Sequence, residues 1–415
     1  MLELPHALQP KASHGAFDDC DAADDCRSGL SVGRQAVAAP FVECIGADRA
    51  QSHIEAWADL GTRALESNVF LDPAFALPAA RHVSRKRRPG FLFVWQGDAT
   101  TPRERLIALW PIVPPRHWGS TVETWVHDYC CSGAPLLDRT DALDALDAVA
   151  AFFRQSNGAA PMLAAAQLRE NGPTLAVLRR FAASKALPFT IVAHHDRAAI
   201  ELAKTDLGAP VFASPRKNKE LRRQARRLQE KGPISMGVAR EGAELIRQIE
   251  AFLILEAKGW KGRDGGAFLN QPEHVAFLKA MAQAMSREGQ CRIYWMSVAD
   301  KVIAVNIVLF GDTSAYFWKT AYDEDFAFAS PGVLLTMSMT EALMREPGLL
   351  SVDSCAVSAH PMINHLWRDR VPVADVLLSL RSDKVRAFEA VARRERWRRL
   401  LREKAKSAWV RFGPA

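Results

Sequence analysis

No run of apolar residues approaches the ~18 needed to cross a bilayer, so nothing in the sequence reads as a membrane span. Cysteine is sparse and poorly spaced for bridging. Cys20, Cys26, Cys44, Cys130, Cys131, Cys291 and Cys355 are odd in number and without a CxxC pair, which argues against a disulfide framework and a zinc site and leaves reduced thiols. The Gly-x-Ser-x-Gly turn of serine hydrolases and the glycine pattern of a P-loop are both missing. His194 and His195 stand at a strand end, and His360 and His365 have no carboxylate at zinc-site spacing. The first thirty residues carry Asp18, Asp19, Asp21, Asp24 and Asp25 where a secretory signal has a basic end and an apolar centre. A cytoplasmic address is therefore the expectation.

What is present is a chain of 415 residues, 48% hydrophobic, long enough for two or three domains with sizeable cores. Residues 1–45, rich in Ala, Gly, Ser and Asp, read as a disordered leader. The net charge of +7 is unevenly spread. Arg216 to Lys231 holds eight basic and two acidic residues, and Arg381 to Arg411 twelve basic and four acidic, so the rest of the chain is negative. The first run reads as a helix with a narrow apolar stripe at Leu221, Ala225 and Leu228. Its arginines suit phosphates, of a cofactor, an anionic lipid or RNA, but it lacks the interleaved aromatics that stack bases, so a solvated linker helix is the default and nucleic acid is not expected. The second run, with Trp397, Leu400, Leu401 and Trp409 among its bases, reads as a basic amphipathic tail over 381–415, suited to peripheral contact with an anionic membrane at the inner surface.

Periodicity gives the order of elements. From residue 233 the pattern is strand, two helices (243–258 and 273–287), three strands with tight turns (292–298, 302–310 and 314–320), loop, helix (333–344) and strand (350–355). The earlier half runs similarly, with helices over 56–65 and 73–82, strands over 91–95, 106–113 and 122–126, a helix over 142–153, a strand over 162–168, a helix over 173–185 and a strand over 188–193. This is an internal repeat of topology without evident sequence identity, with a boundary near residue 210.

The stretches "SPRKNKELRRQARRLQEKG" (214–232), "LEAKGWKGRDGGAF" (255–268), "YFWKTAYDEDFAFASPGVLL" (316–335) and "VDSC" (352–355) resemble the acetyltransferase domain of CelD-type cellulose-biosynthesis proteins. "ALESNVFLDPAFALPAA" (64–80) resembles that family's N-terminal segment. The family is a branch of the GNAT superfamily related to the Fem peptidyltransferases, which carry two GNAT-like folds in tandem. The resemblance implies an α+β fold of two GNAT-like domains, 46–210 and 211–380, with mixed, mainly antiparallel sheets flanked by helices. It also implies an acyl-CoA co-substrate, no metal, and an amine or hydroxyl acceptor, with a saccharide of exopolysaccharide or envelope assembly as the acceptor it suggests.

The residues sort accordingly. Ser330 suits a helix cap, Pro331 the first helical position and Gly332 a close backbone approach, so an anion such as the pyrophosphate of coenzyme A has a place at this helix start; Ser-Pro-Gly is equally an ordinary helix opening. Asp353, at the end of the strand beside Lys319, is the candidate general base, or else a loop-bonding carboxylate paired with Lys319. Lys319, among aromatics, calls for a partner in Asp353, Asp323 or a phosphate. Tyr322 is a candidate proton donor to the leaving thiolate or a loop anchor, and Asp323 a substrate contact. Glu256 is a second candidate base. Trp260 and Lys261, in a loop opened by Gly259, offer a stacking face and a charge to the acceptor, while a Schellman helix end explains the glycine equally well. The rival readings are a Fem-like transferase using aminoacyl-tRNA and a non-catalytic assembly subunit of a polysaccharide synthase.

Overall fold

The computed structural model describes residues 39–83, 87–97, 105–113, 121–155, 162–202, 215–358 and 360–412. The first half contributes β1 (Phe41–Ile45), α1 (Ala47–Ala50), α2 (Ile54–Arg63), α3 (Pro73–His82), β2 (Gly90–Gln96), β3 (Arg105–Val113), β4 (Val122–Thr124), β5 (Leu136–Leu137), α4 (Ala142–Gln155), β6 (Met162–Arg169), α5 (Pro173–Ser184) and β7 (Phe189–Glu201). The second contributes α6 (Pro215–Gln229), β8 (Ile234–Ala239), α7 (Gly242–Lys258), α8 (Trp260–Arg263), α9 (Pro272–Arg287), β9 (Cys291–Val298), β10 (Lys301–Phe310), β11 (Ser314–Tyr322), α10 (Pro331–Met344), β12 (Ser351–Asp353), α11 (Ile363–Leu366), β13 (Asp369–Ser379) and α12 (Val385–Phe412). Residues 203–214, which hold the expected boundary and Ser214, lie outside the described residues, as do residues 1–38 of the expected leader. Residues 41–45, also assigned to that leader, instead form an edge strand antiparallel to β2.

One sheet runs through both halves in the order β1-β2-β3-β4-β6-β13-β7-β12-β11-β10-β9-β8, with β5 against β3. Read from either end, the order repeats the same roles. β4 lies parallel to β6 and β11 parallel to β12, and the long final strand of each half is inserted against the other half's sheet. Thus β7 pairs with β12, β13 pairs with β6, and the two lie antiparallel to each other at the centre. Read from the sequence, β7 ends at Ala193, with His194 and His195 at the strand end. Pairing with β13 carries the strand on to Ala199 and pairing with β12 to Glu201, so the segment beyond Ala193 finds its main-chain partners in the other half.

The apolar side chains fill three main layers. Trp57, Phe70, Phe75 and Phe91 of the first half share one core with Phe252, Phe277 and Trp318 of the second, beneath α2, α3, α7 and α9. Leu146, Val149, Leu175, Leu178 and Phe181 of α4 and α5 cover the opposite face of the first half. Leu335, Met339 and Leu343 of α10 do the same for the second. Each such side chain stabilises by ~1.5–3 kcal/mol on burial, so the shared aromatic layer holds the halves together along with the exchanged strands. The positions are those expected from helical spacing.

Candidate active site

The site grows out of an interruption in the sheet. β11 and β12 are hydrogen-bonded through three pairs only, Ser314 with Ser351, Ala315 with Val352 and Tyr316 with Asp353. Beyond them β11 runs on to Tyr322 held by β10 alone, while β12 ends, so the two strands part. A bulge sits at the parting, because Val308 pairs with Phe317 and Ile307 with Lys319, leaving Trp318 as the extra residue. Trp318 therefore turns towards the first half, where its indole N–H donates to the Tyr129 carbonyl at 2.8 Å. Lys319 follows it, with Nζ 4.7 Å from the centre of the Tyr129 ring, 5.4 Å from Trp318 and 5.8 Å from Phe268.

None of the carboxylates expected to partner Lys319 does so. Asp353 Oδ2 lies 3.5 Å from the Arg197 guanidinium, and its Oδ1 accepts from the Cys355 amide at 2.8 Å. Asp323 is spent elsewhere. It is buried and caps the 3-10 turn Glu324–Ala329 through the Asp325 amide, with Lys258 at 3.0 Å and Lys301 at 2.7 Å, which leaves it no group for a substrate. Burial raises Asp323, but these two lysines and the amide outweigh it, and its carboxyl is held below the usual aspartate range. Lys319 instead has an aromatic cage. Enclosure, and next the charge of Lys261, pull its ammonium below the ordinary lysine range.

The start of α10 differs from its expected form in two respects, at the Ser330 cap and at Gly332, where the Tyr322 ring covers the backbone expected to be open to a ligand. Ser330 adopts the left-handed conformation (φ 50°, ψ 51°) and its side chain makes no cap bond. Pro331 occupies the first helical position, and Gly332 is buried beneath Tyr322, whose ring carbon Cδ1 lies 3.3 Å from where a Cβ would stand. The helix start is tied to the parted strand by a buried chain of polar groups. Thr320 Oγ1 donates to Asn306 Oδ1 at 2.7 Å, Asn306 Nδ2 to Thr336 Oγ1 at 3.2 Å, and Thr336 Oγ1 to the Gly332 carbonyl at 2.7 Å. A satisfied network of this kind fixes geometry in a low-dielectric interior.

Glu256 and Lys261, assigned separate tasks from sequence, are partners. Lys261 Nζ donates to Glu256 Oε1 at 3.0 Å and the Phe268 amide to Oε2 at 2.9 Å, so both oxygens of this buried carboxylate are occupied. Trp260–Arg263 form the short helix α8 rather than a loop, and Gly259 before it is extended (φ −80°, ψ −172°), which removes the Schellman reading. A side chain at Gly262 would strike the Ala257 carbonyl, so glycine here allows α8 to turn back against α7. Trp260 is 55% exposed, a free indole face at the rim.

The first half supplies what sequence reading missed. Tyr129, Cys131 and Arg197 reach the site from the loop after β4 and from β7. The Tyr129 hydroxyl lies 2.8 Å from His274 Nδ1, its ring stacks on Phe268 and Phe277, and burial, with Glu256 next, raises its phenol. Burial takes the neighbouring His127 down to about 3, so it stays neutral. Arg197, 3% exposed, donates to the Cys131 carbonyl at 2.8 Å while its Nε has no partner. A cleft of about 270 Å³ lies between the halves at the root of the parting, its walls including Arg169, Arg197, Gln167, Tyr316, Asp353 and Cys131. Among the described residues no cluster of His, Cys, Asp and Glu is arranged to hold a metal ion. No helix among them is long and apolar enough to cross a membrane.

Two parallel strands that part at a bulge leave an opening beside the start of α10. Residues 215–359 match the acetyltransferase (GNAT) domain family. Acyltransferase is the enzyme class that this match gives. The GNAT domain so delimited contains the whole of the parted strand pair and α10. No curated protein matches the chain. Among solved structures, FemX is similar over 85% of this chain and 99% of its own, at 10% identity and a TM-score of 0.51. The C-terminal domain of a candidate lysylphosphatidylglycerol synthetase from Agrobacterium fabrum is similar over 82% and 94%, at 12% identity and a TM-score of 0.50. These likenesses carry the fold alone, a mixed sheet flanked by helices and running through both halves.

Proposed function

We propose that the chain transfers an acyl group from a coenzyme A thioester to an amine or hydroxyl acceptor, through a ternary complex formed in the gap between β11 and β12. The observation that carries this reading is the parting of the strands after Tyr316 and Asp353 next to the α10 start. In this reading the pyrophosphate lies at Ser330–Gly332, drawn by the positive end of the α10 dipole. The pantetheine arm follows the free edge of β11, and main-chain amides at the bulge polarise the thioester carbonyl. Lys319 faces no carboxylate, so its ammonium is available to the negative charge that develops on the carbonyl oxygen or the departing sulfur. Tyr322, at the exposed end of the strand, contributes a proton to the thiolate, and Asp353, on the cleft wall, takes the proton of the acceptor. We assign Glu256, with Lys261, to holding the α7–α8 corner.

The acceptor in this proposal enters through the cleft between the halves, and the resemblance to cellulose-biosynthesis proteins makes a saccharide of exopolysaccharide or envelope assembly the acceptor to test first. Trp260 offers it a stacking face. We further propose that α12 rests on an anionic membrane surface. Phe388 and Ala392 anchor it to the protein, while Trp397 and Leu401 are 65% and 60% exposed amid arginines.

Thermal stabilisation across a series of acyl-CoA compounds tests the reading. A ligand at a hundred times its dissociation constant adds ~2.7 kcal/mol to the folded state. A shift with one acyl-CoA and none with free adenosine supports it, and a flat series rejects it. One observation favours aminoacyl transfer instead. α6 exposes Arg222, Arg223, Arg226 and Arg227, with Arg227 5.2 Å over the Phe328 ring in the turn that leads to α10. Filter binding of aminoacyl-tRNA over a salt series separates the two, since steeply salt-dependent binding without coenzyme A affinity selects the second.

A further inference from the structure

Cys131 and Cys355 stand more than two hundred residues apart in sequence and come from opposite halves, Cys131 from the loop after β4 and Cys355 from the turn after β12. Their side chains act on each other at close range, and both are free cysteines that retain partial exposure, in contrast to the buried Cys130 and Cys291. The pair is held from several sides. Arg197 grips the Cys131 carbonyl, and Asp353 accepts from the Cys355 amide, so the two backbones are fixed to one another through the Arg197–Asp353 ion pair. Cys131 also lines the cleft between the halves, which opens it to small solutes. We propose that Cys131 and Cys355 are a reversible disulfide site, oxidised by small disulfides such as oxidised glutathione, whose closure staples the two halves together at the root of the cleft.

The chemistry balances in two exchanges. The Cys131 thiolate attacks one sulfur of oxidised glutathione, forming a mixed disulfide and releasing one glutathione thiolate. Cys355, giving up its proton to solvent, then attacks the Cys131 sulfur of that mixed disulfide and releases the second glutathione. The environment sets the order. The hydrogen bond from Cys355, opposed by burial and aided by Arg197, leaves Cys131 below the ordinary thiol range, while burial and the neighbouring sulfur raise Cys355 well above it. The first is the attacking thiol and the second the resolving one.

The test uses the full chain incubated with oxidised glutathione, then alkylated and digested without reductant. Mass spectrometry is expected to find the peptides of Cys131 and Cys355 joined, with a rise in Tm of roughly 5 °C that dithiothreitol reverses. Cys131→Ser and Cys355→Ser each remove both signals, whereas Cys130→Ser keeps them. Stable glutathione adducts on Cys131 without cross-linking, a link from Cys355 to Cys130, or a cross-link that leaves Tm unchanged would each overturn the proposal. The reduced protein's response to acyl-CoA is a separate measurement, so the failure of one idea leaves the other standing.

Discussion

The two halves share one strand plan and differ where each could hold a ligand. In the first half the helix after the parallel strand, α4, begins beside its own carboxylates. Asp138 accepts from the Thr140 amide and hydroxyl and pairs with Arg63 and Arg105, and Asp141 pairs with Arg105. The carboxylates before α4 are thereby paired within the first half. In the second half the corresponding helix, α10, begins with Ser330-Pro331-Gly332 and no side-chain cap. The first half's β4 is three residues long, and the loop that follows it crosses to deliver Tyr129 and Cys131 to the second half's site. Of two halves with one strand plan, the first keeps its carboxylates paired within itself and the second has no side-chain cap at the corresponding helix start.

The sharpest way to break this comparison is Asp138→Ala. It strips the buried carboxylate from Arg63 and Arg105, and denaturant unfolding should show a loss of ~3 kcal/mol with acyl-CoA stabilisation intact. Were ligand binding lost with stability kept, the first half would hold the ligand instead. Next comes Lys319→Met, for which steady-state kinetics should give a fall in kcat of about 100-fold, or ~2.7 kcal/mol, with acyl-CoA affinity unchanged. Because the Lys319 ammonium is held below the ordinary lysine range, activity should decline as pH rises through that lowered value, before free lysine at ~10.4 would lose its proton. Lys319→Arg should push that alkaline limb upward. Gly332→Val, crowding Tyr322 at the α10 start, should weaken acyl-CoA about 30-fold, ~2 kcal/mol by calorimetry, and an unaltered affinity would remove the anion from this helix.

Smaller effects sharpen the picture. The carboxyl of Asp323 is depressed in the fold, so its contribution is complete above the ordinary aspartate value of ~3.9 and is lost as pH falls through the lower folded value. Acid unfolding followed by circular dichroism should show Asp323→Asn less stable at neutral pH and converging with the parent in acid. The smallest change is expected from Arg222→Ala with Arg226→Ala, less than about threefold on acyl-CoA affinity by calorimetry, since both side chains lie exposed to solvent.

Much of the second half was legible because its elements are local. The run Val302 to Phe310 is rich in β-branched residues, and Pro331-Gly332 opens an apolar helix, so β9, β10, β11 and α10 follow from periodicity and turn residues. The site was legible only in outline. Lys319, Tyr322, Gly332 and Asp353 do gather around the parted strands, but Asp323 and Glu256 carry the same residue types and are consumed by Lys258, Lys301, Lys261 and the Phe268 amide. Nothing in the neighbouring sequence of a carboxylate tells which lysine a distant strand will bring to it. Tyr129, Cys131 and Arg197 carried no signal at all, lying outside the strands and helices read from the sequence.

By itself the amino-acid sequence determined the class of the fold, the repeat, and the Ser330-Pro331-Gly332 helix start, because hydrophobic period and turn residues are properties of consecutive residues. Only the tertiary structure decided that the last strands change places, that Arg197 rather than Lys319 answers Asp353, and that Cys131 meets Cys355. Those depend on which main-chain edges and side chains become neighbours once the sheet closes across its centre, a pairing between residues far apart in the chain that local pattern does not encode.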